Sequence, residues 1–506
     1  NRFKKAKSSK EPIIIISQDE AEKNEKSKSK RVKTWRFKAK NVRDFAFTSS
    51  RKFIWDAMGV KIGNRTVMAM SYYPKEANPL YERYSTKAVA HTLEVYSKYT
   101  FDYPYPVAIS VEGDNGMEYP MICFNYGRPE KDGTYSERTK YGMISVIIHE
   151  VGHNWFPMIV NSDERQWTWM DEGLNTYLQF LTEQEWDRNY PSRRGPPKNI
   201  VNYMKGNKNN IRPIMTNSES IYQFGNNAYG KPATALNILR ETIVGRELFD
   251  FAFKEYSRTW MFKHPTPSDF FRILENATAV DLDWFWRGWF YNTDPVDLSI
   301  DQVTWYTLDT KNPDIEFPLN KKLKEKEPIQ VWEERNLIDI QETVVETDQS
   351  ANDFYNKYDQ FEVTILDRED FIKYRDSSVV EIREKEIYNA NLNYYELKFS
   401  NIGGLVMPLI LQFNYKDSSN YIMKIPAEIW KMDRKQITKI FATKKEVGSF
   451  LLDPKLETAD IDLSNNHWPR IIIPSKFELY KRKKFGRSKN NKENKMQRQI
   501  RANKKE

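Results

Sequence analysis

Four side chains in this sequence have the types and spacing needed to hold a metal ion and move a proton. His149, Glu150 and His153 form the pattern H-E-x-x-H inside MISVIIHEVGHNWFPMIV. The chain has five histidines in all, so two of them at this spacing around a glutamate is a rare arrangement. Histidines four apart on a helix stand one turn above each other on the same face. Both imidazoles can then reach one zinc ion at about 2.0–2.1 Å. Glu150, about 100° round the helix from His149, falls outside the ligand set. There it can accept the proton of an attacking water, the general-base role. A catalytic zinc site needs a third protein ligand and one open position. Eighteen residues separate His153 from Glu172 in WTWMDEGLNTYLQFLTEQEW. A helix, a reversal and an antiparallel second helix bring such a carboxylate back over the first, so the expected metal ligands are His149, His153 and Glu172.

Helices must position these groups. Met143, Ile147, Val151 and Trp155 recur every fourth residue and no proline intervenes before Pro157, which predicts a helix over 143–160. Leu174, Tyr177, Leu178 and Leu181 give a second apolar stripe, predicting a helix entered at Met170 and Asp171. Residues 228–289 read as helical, punctuated by Gly245 and the HPTP run at 264–267. The stretch 34–47 alternates in places like a strand, and 300–400 reads as strand and loop with charge-rich runs such as KKLKEKE. From Gly403, the alternation of Leu409, Leu411, Phe413 and Tyr415, a polar turn at 416–420 and the run 421–425 predict a hairpin. Further strands after it suggest a small β-sandwich.

A length of 506 residues allows about three domains, and 39% hydrophobic and 14% aromatic content supplies a sizeable core. The longest obvious apolar run, Ile13 to Ile16, is far short of the ~18 residues of a membrane span. A single cysteine, Cys123, excludes an intramolecular disulfide framework and a zinc site built from several cysteines. The net charge of +9 resides in the ends. Residues 481–506 carry +10 and residues 1–32 carry +5, leaving −6 on the span between them. A folded nucleic-acid-binding domain concentrates lysine and arginine on the folded part, so this distribution argues against nucleic acid as a partner. The low-complexity start reads as a linker, and the first residue, Asn1, with no signal pattern after it, reads as a processed start or a piece of a longer protein.

HEVGHNWFPMIVNSDERQWTWMDEG resembles the aminopeptidase N family of gluzincin zinc aminopeptidases, whose pattern is HExxH, eighteen residues, then a glutamate in W-x-x-E-G. GDNGMEYPMICF at 113–124 resembles that family's G-x-M-E-N strand, and most nearly a bacterial branch with GGMEYP. AYGKPATALNILR at 228–240 resembles its Y-x-K-G helix start. The chain departs from the pattern at Asn115, Tyr119 and Pro232. Pro232 still suits a first-turn position, where its missing N–H has no partner to lose.

The resemblance implies a zinc aminopeptidase with one Zn2+ ion, acting on peptides with a free N-terminus. It assigns Glu118 to the substrate ammonium, Gly116 and Met117 to backbone contacts with the peptide, and Tyr229 to the developing oxyanion. It implies an α+β multidomain fold, with a thermolysin-like α/β catalytic domain and helical bundle followed by a C-terminal β-sandwich-like domain. The domain reading is a linker at 1–33, the remnant of an N-terminal β domain at 34–56 and the zinc peptidase domain at 57–296. A strand- and loop-rich connection at 297–402, a β-sandwich-like domain at 403–480 and a basic disordered tail at 481–506 complete it. A bacterial extracytoplasmic setting is implied, without a choice among periplasmic, secreted and membrane-associated. Two alternatives share the metal motif: a thermolysin-like zinc endopeptidase, and an inactive zinc-binding scaffold lacking its N-terminal domain.

Overall fold

Runs rich in β-branched and aromatic residues, IIII, IWDAMGVKI, RTVMAMSYY and VAISVE, favour extended backbone. The computed structural model, which describes residues 1–114, 116–377, 392–471 and 493–504, joins them in a six-stranded mixed sheet. Its order is β1 (Ile13–Ile16), β2 (Ile54–Ile62), β3 (Arg65–Tyr73), β4 (Val107–Glu112), β6 (Ile122–Asn125) and β5 (Met117–Tyr119). β3, β4 and β6 run parallel, and β5 folds back antiparallel on β6 as an edge strand.

The first sixty residues differ from the sequence reading. Within the stretch read as a linker, Ile13 and Ile14 pair with Ala57 and Asp56 of β2, between helices α1 (Arg2–Ala6) and α2 (Gln18–Lys26). A β-branched run beside an open sheet edge gains a ladder of backbone hydrogen bonds, which outweighs the polarity of its flanks. Conversely, the span 34–56 holds no strand before Ile54, and Trp35, Phe37 and Phe47 are exposed. Alternation alone does not make a strand where no neighbour accepts its backbone bonds.

Helix α3 (Leu80–Tyr99) covers the sheet with Leu80, Tyr81, Ala88, Val89, Leu93 and Tyr96, all buried. Across it lie α4 (Glu137–Gly152) and α5 (Leu174–Trp186). Ser136 caps α4, its hydroxyl accepting from Thr139 N at 3.0 Å. The helix expected over 143–160 ends at Gly152. A proline pushes the residue before it toward extended backbone, and Phe156 sits at φ −130°, ψ 115° ahead of Pro157. A wide turn, Asn154–Ile159, replaces the last helical turns. Likewise the second helix is preceded by a wide turn, Trp169–Gly173, that carries Asp171 and Glu172.

One side chain ties these helices together. Asn175 donates from Nδ2 to the His149 carbonyl at 2.8 Å and accepts at Oδ1 from the Tyr96 hydroxyl at 2.7 Å. Gly152 sits against the same pair, where a Cβ would collide with Asn175 Oδ1 and the Tyr96 hydroxyl. After the short α6 (Val201–Met204), helices α7 (Lys231–Ile238), α8 (Arg246–Thr259), α9 (Pro267–Thr278) and α10 (Asp283–Trp289) complete the bundle. Its aromatic core reaches the turn Trp169–Gly173, since Trp169 packs 4.8 Å from Phe290 and 5.6 Å from Phe270, ring to ring.

The remainder is a two-sheet arrangement. One sheet orders β11 (Gln436–Thr443), β8 (Asn393–Asn401) and β7 (Leu298–Thr307). The other orders β10 (Asn420–Ile425), β9 (Leu409–Tyr415), β12 (Val447–Leu452) and β13 (His467–Trp468). Phe413 of β9 meets Phe441 of β11 at 5.3 Å, and Tyr395 of β8 meets Phe450 of β12 at 5.5 Å. β7 and β8 thus take the stretch read as a connection into the sandwich. Between them, 313–376 is helical rather than strand and loop, starting with α11 (Pro313–Glu325) and α12 (Val331–Asp339). Capping boxes at Gln330 with Glu333 and Thr364 with Asp367 start helices that lack a strong apolar period. Of the basic tail, 481–492 and 505–506 lie outside the described residues, and Lys495–Asn503 is a helix. Among the described residues no helix is long and apolar enough to cross a membrane.

Replacing Asn175 with alanine removes two buried hydrogen bonds at the α3–α4–α5 junction. Denaturant titration is expected to show a loss of about 1–3 kcal/mol. A midpoint equal to that of the parent protein refutes the junction's role.

Candidate metal centre

Glu172 Oε2 lies 3.0 Å from His149 Nε2 and 3.5 Å from His153 Nε2. The two imidazole rings stand 4.6 Å apart at 87°. One donor atom from each of the three residues lies within 4.8 Å of the others. The remaining ring nitrogens are occupied, with His149 Nδ1 2.9 Å from Gln179 Oε1 and His153 Nδ1 2.9 Å from the Phe156 carbonyl. Both acceptors lack a proton to give, so each ring donates from Nδ1 and, when neutral, turns its Nε2 lone pair toward the Glu172 carboxylate. Three electron-rich atoms that close need a proton or a cation between them. Two imidazoles and a carboxylate, each ring fixed by a second partner, suit zinc.

The electrostatics agree. Burial pushes the His149 pKa down, and Glu172 offsets only part of that. Burial also works against a charged His153, but Asp171 and Glu172 overcome it and raise the pKa well above the ordinary value. For Glu172, burial is outweighed by His153 and His149, which hold the carboxyl well below its usual range. Glu150 behaves oppositely. Burial, reinforced by Glu118 and Glu172 and opposed by His153, pushes it up to about 8.

Local structure explains the placement. His149 occupies the last turn of α4 and His153 its C-cap, still one turn apart although the helix stops there. Trp169, buried in the aromatic core, anchors the turn that presents Glu172. Gly173 follows because a Cβ there would come within 2.6 Å of Pro232 Cγ and 3.0 Å of the Ala228 carbonyl. Only the smallest residue lets the ligand turn lie this close to the start of α7.

Gly116, Glu118, Glu150 and Tyr229 gather around the same cavity, of about 490 Å³. Glu118, on edge strand β5, groups with Glu150 and His153 within 4.8 Å. Gly116 lies against Glu150, where a Cβ would collide with Oε1. Met117 has an exposed side chain and does not line the cavity, and Asn115 lies outside the described residues. Tyr229 sits in the wide turn Gly225–Gly230 before α7, its ring 5.6 Å from that of His149 at 23°. Burial, with Glu172 adding to it, raises the Tyr229 pKa well above normal and keeps the phenol protonated.

Three contributors escaped the sequence reading. Gln179 holds His149, and its spacing of seven residues from Glu172, two helical turns, was a usable signal. Asp171 Oδ1 approaches His153 Nδ1 at 3.0 Å without hydrogen-bond alignment, since that N–H is spent on Phe156. Arg194, whose guanidinium lies 4.2 Å over the Tyr229 ring, comes from a loop with no pattern to announce it.

Residues 84–289 match the family described as "Peptidase family M1 domain". Curated relatives include a probable aminopeptidase 1 of Sulfurisphaera tokodaii, 23% identical over 41% of this chain and 28% of its own length. The human endoplasmic reticulum aminopeptidase 2 is 26% identical over 42% of this chain and 23% of its own. Among solved structures, the Legionella pneumophila aminopeptidase A aligns over 81% of this chain and 38% of its own, with 12% identity and a TM-score of 0.49. The aligned region spans roughly a quarter of the length of these curated relatives.

Gln179→Leu keeps the side chain's bulk but frees His149 Nδ1. Zinc affinity, read by competition with a chromogenic chelator, is expected to fall about 10–100-fold. An unchanged affinity removes Gln179 from the support of the centre.

Proposed function

We propose, from the premise that residues 84–289 are a peptidase family M1 domain, that this chain acts as a zinc-dependent aminopeptidase, hydrolysing the N-terminal bond of peptides. The observation that carries the proposal is the division of three glutamates around His153. Glu172 faces both Nε2 atoms, while Glu150 and Glu118 form a second group about His153, outside that ligand set.

His149, His153 and Glu172 would hold the zinc ion, which would supply a Lewis acid to acidify water and polarise a carbonyl oxygen. The residues of the chain do the rest. Glu150, beside His153 but outside that ligand set, accepts the proton of the attacking water and delivers it to the leaving amine. The Tyr229 phenol, kept protonated, donates a hydrogen bond to the carbonyl oxygen as it becomes negative. Glu118 accepts charge-assisted hydrogen bonds from the substrate's α-ammonium. β5 pairs only with β6 among the described strands, so the backbone near Gly116 and Met117 offers a free edge to an extended peptide.

Glu150→Gln is expected to keep stoichiometric zinc while kcat falls by about two orders of magnitude or more. Loss of metal in that variant places Glu150 in the wrong role. Glu118→Ala is expected to raise KM and lower kcat/KM on amino-acid anilides far more than on internal bonds of N-acetylated peptides. Equal losses on both, or faster cleavage of the acetylated peptides by the parent protein, favour an endopeptidase. Chelator treatment abolishes turnover and added zinc restores it if the metal centre is the catalytic one.

A further inference from the structure

The cavity wall contains a positive group that the proposed chemistry does not use. Arg194 lies on the Tyr229 side of the ligand cluster, while Glu118 lies on the Glu150 side. Its guanidinium stacks on the Tyr229 ring at 4.2 Å, yet among the described residues no carboxylate stands within ion-pair distance of it. The two acidic groups closest in charge to it are already engaged. Glu172 is committed to the histidines, and Glu183 accepts from Ser145, Gln179 and Ser192. Arg193 also lines the cavity without an ion pair among the described residues. A partly buried guanidinium with its planar fork unmatched is poorly satisfied unless the ligand brings the partner.

We propose that Arg194, assisted by Arg193, recognises a carboxylate of the bound peptide. The inference rests on the aminopeptidase reading for the orientation of that peptide. With the ammonium at Glu118 and the scissile carbonyl between Glu150 and Tyr229, the substrate's remaining groups extend past the Tyr229 ring to the guanidinium stacked on it. Arginine suits this task because its two parallel N–H donors match a carboxylate's two oxygens. The carboxylate has two sources, the C-terminus of a short peptide or an acidic side chain.

The test measures binding rather than turnover, by calorimetry on the zinc-loaded Glu150→Gln protein. Ala-Ala is compared with Ala-Ala-amide, and Ala-Glu-amide with Ala-Gln-amide. In at least one pair the carboxylate ligand is expected to bind about tenfold tighter. Preference in the first pair assigns the C-terminus and in the second the acidic side chain. Adding Arg194→Gln is expected to bring the favoured pair to within about twofold. Where that variant does not retain zinc, Arg194→Lys decides: it keeps the charge but lacks the fork, and is expected to cut the preference at least about threefold. A preference that survives in the deciding variant overturns the proposal. Binding of all four peptides without preference overturns it while leaving the aminopeptidase reading intact. Failure of all four to bind sinks both.

Discussion

Everything at this site depends on one carboxylate facing two imidazoles whose outer nitrogens are already hydrogen-bonded. Gln179 and the Phe156 carbonyl take the Nδ1 protons, so each ring, when neutral, offers its Nε2 lone pair to the space in front of Glu172. The arrangement is stable only with positive charge at its centre. That constraint accounts for several otherwise unrelated features. Trp169 is locked in an aromatic core, Gly173 is pressed against α7, and Asn175 grips the His149 carbonyl. The first two place the turn that carries Glu172, and the third holds α5 against α4.

The same cavity holds carboxylates of opposite character within a few ångströms. Glu172, beside two histidines, favours its charge, whereas burial, reinforced by Glu118, raises the pKa of Glu150. Environment assigns these roles, since the side chains are chemically identical. Glu118 reaches the group only because β5 folds back on β6 and carries its glutamate to the edge of the sheet. Gly116 supports this by leaving the space a Cβ would take from Glu150.

The sandwich and the helical insertion are built by different means from the helical bundle. β7 and β8 meet across more than eighty residues of sequence, pairing Ile300 with Phe399 and Val303 with Leu397. Asp460 accepts from Leu298 N at 3.1 Å, which ties the far end of the sandwich to the strand leaving the bundle. The helices at 313–376 carry many exposed apolar side chains, Leu337 and Ile338 among them. Their formation owes more to capping than to an amphipathic stripe, which is why the sequence there read as strand and loop.

How much was legible follows from the range of the interactions involved. His149, Glu150 and His153 share one turn of one helix, so their mutual geometry is encoded locally and needs only helical periodicity to be read. Glu172 needed one further assumption, a reversal between two helices, and Gln179 was reachable from it by the same periodicity. The hairpin of β9 and β10 is local for the same reason. The pairing of Ile13 and Ile14 with β2, the approach of Glu118 to Glu150 and the stacking of Arg194 on Tyr229 join segments whose separation along the chain carries no periodic signal. Local helical geometry settled the spacing of His149, Glu150 and His153. Which edge a strand joins, and which charge is left without a partner, was decided only when distant surfaces packed and water was excluded between them.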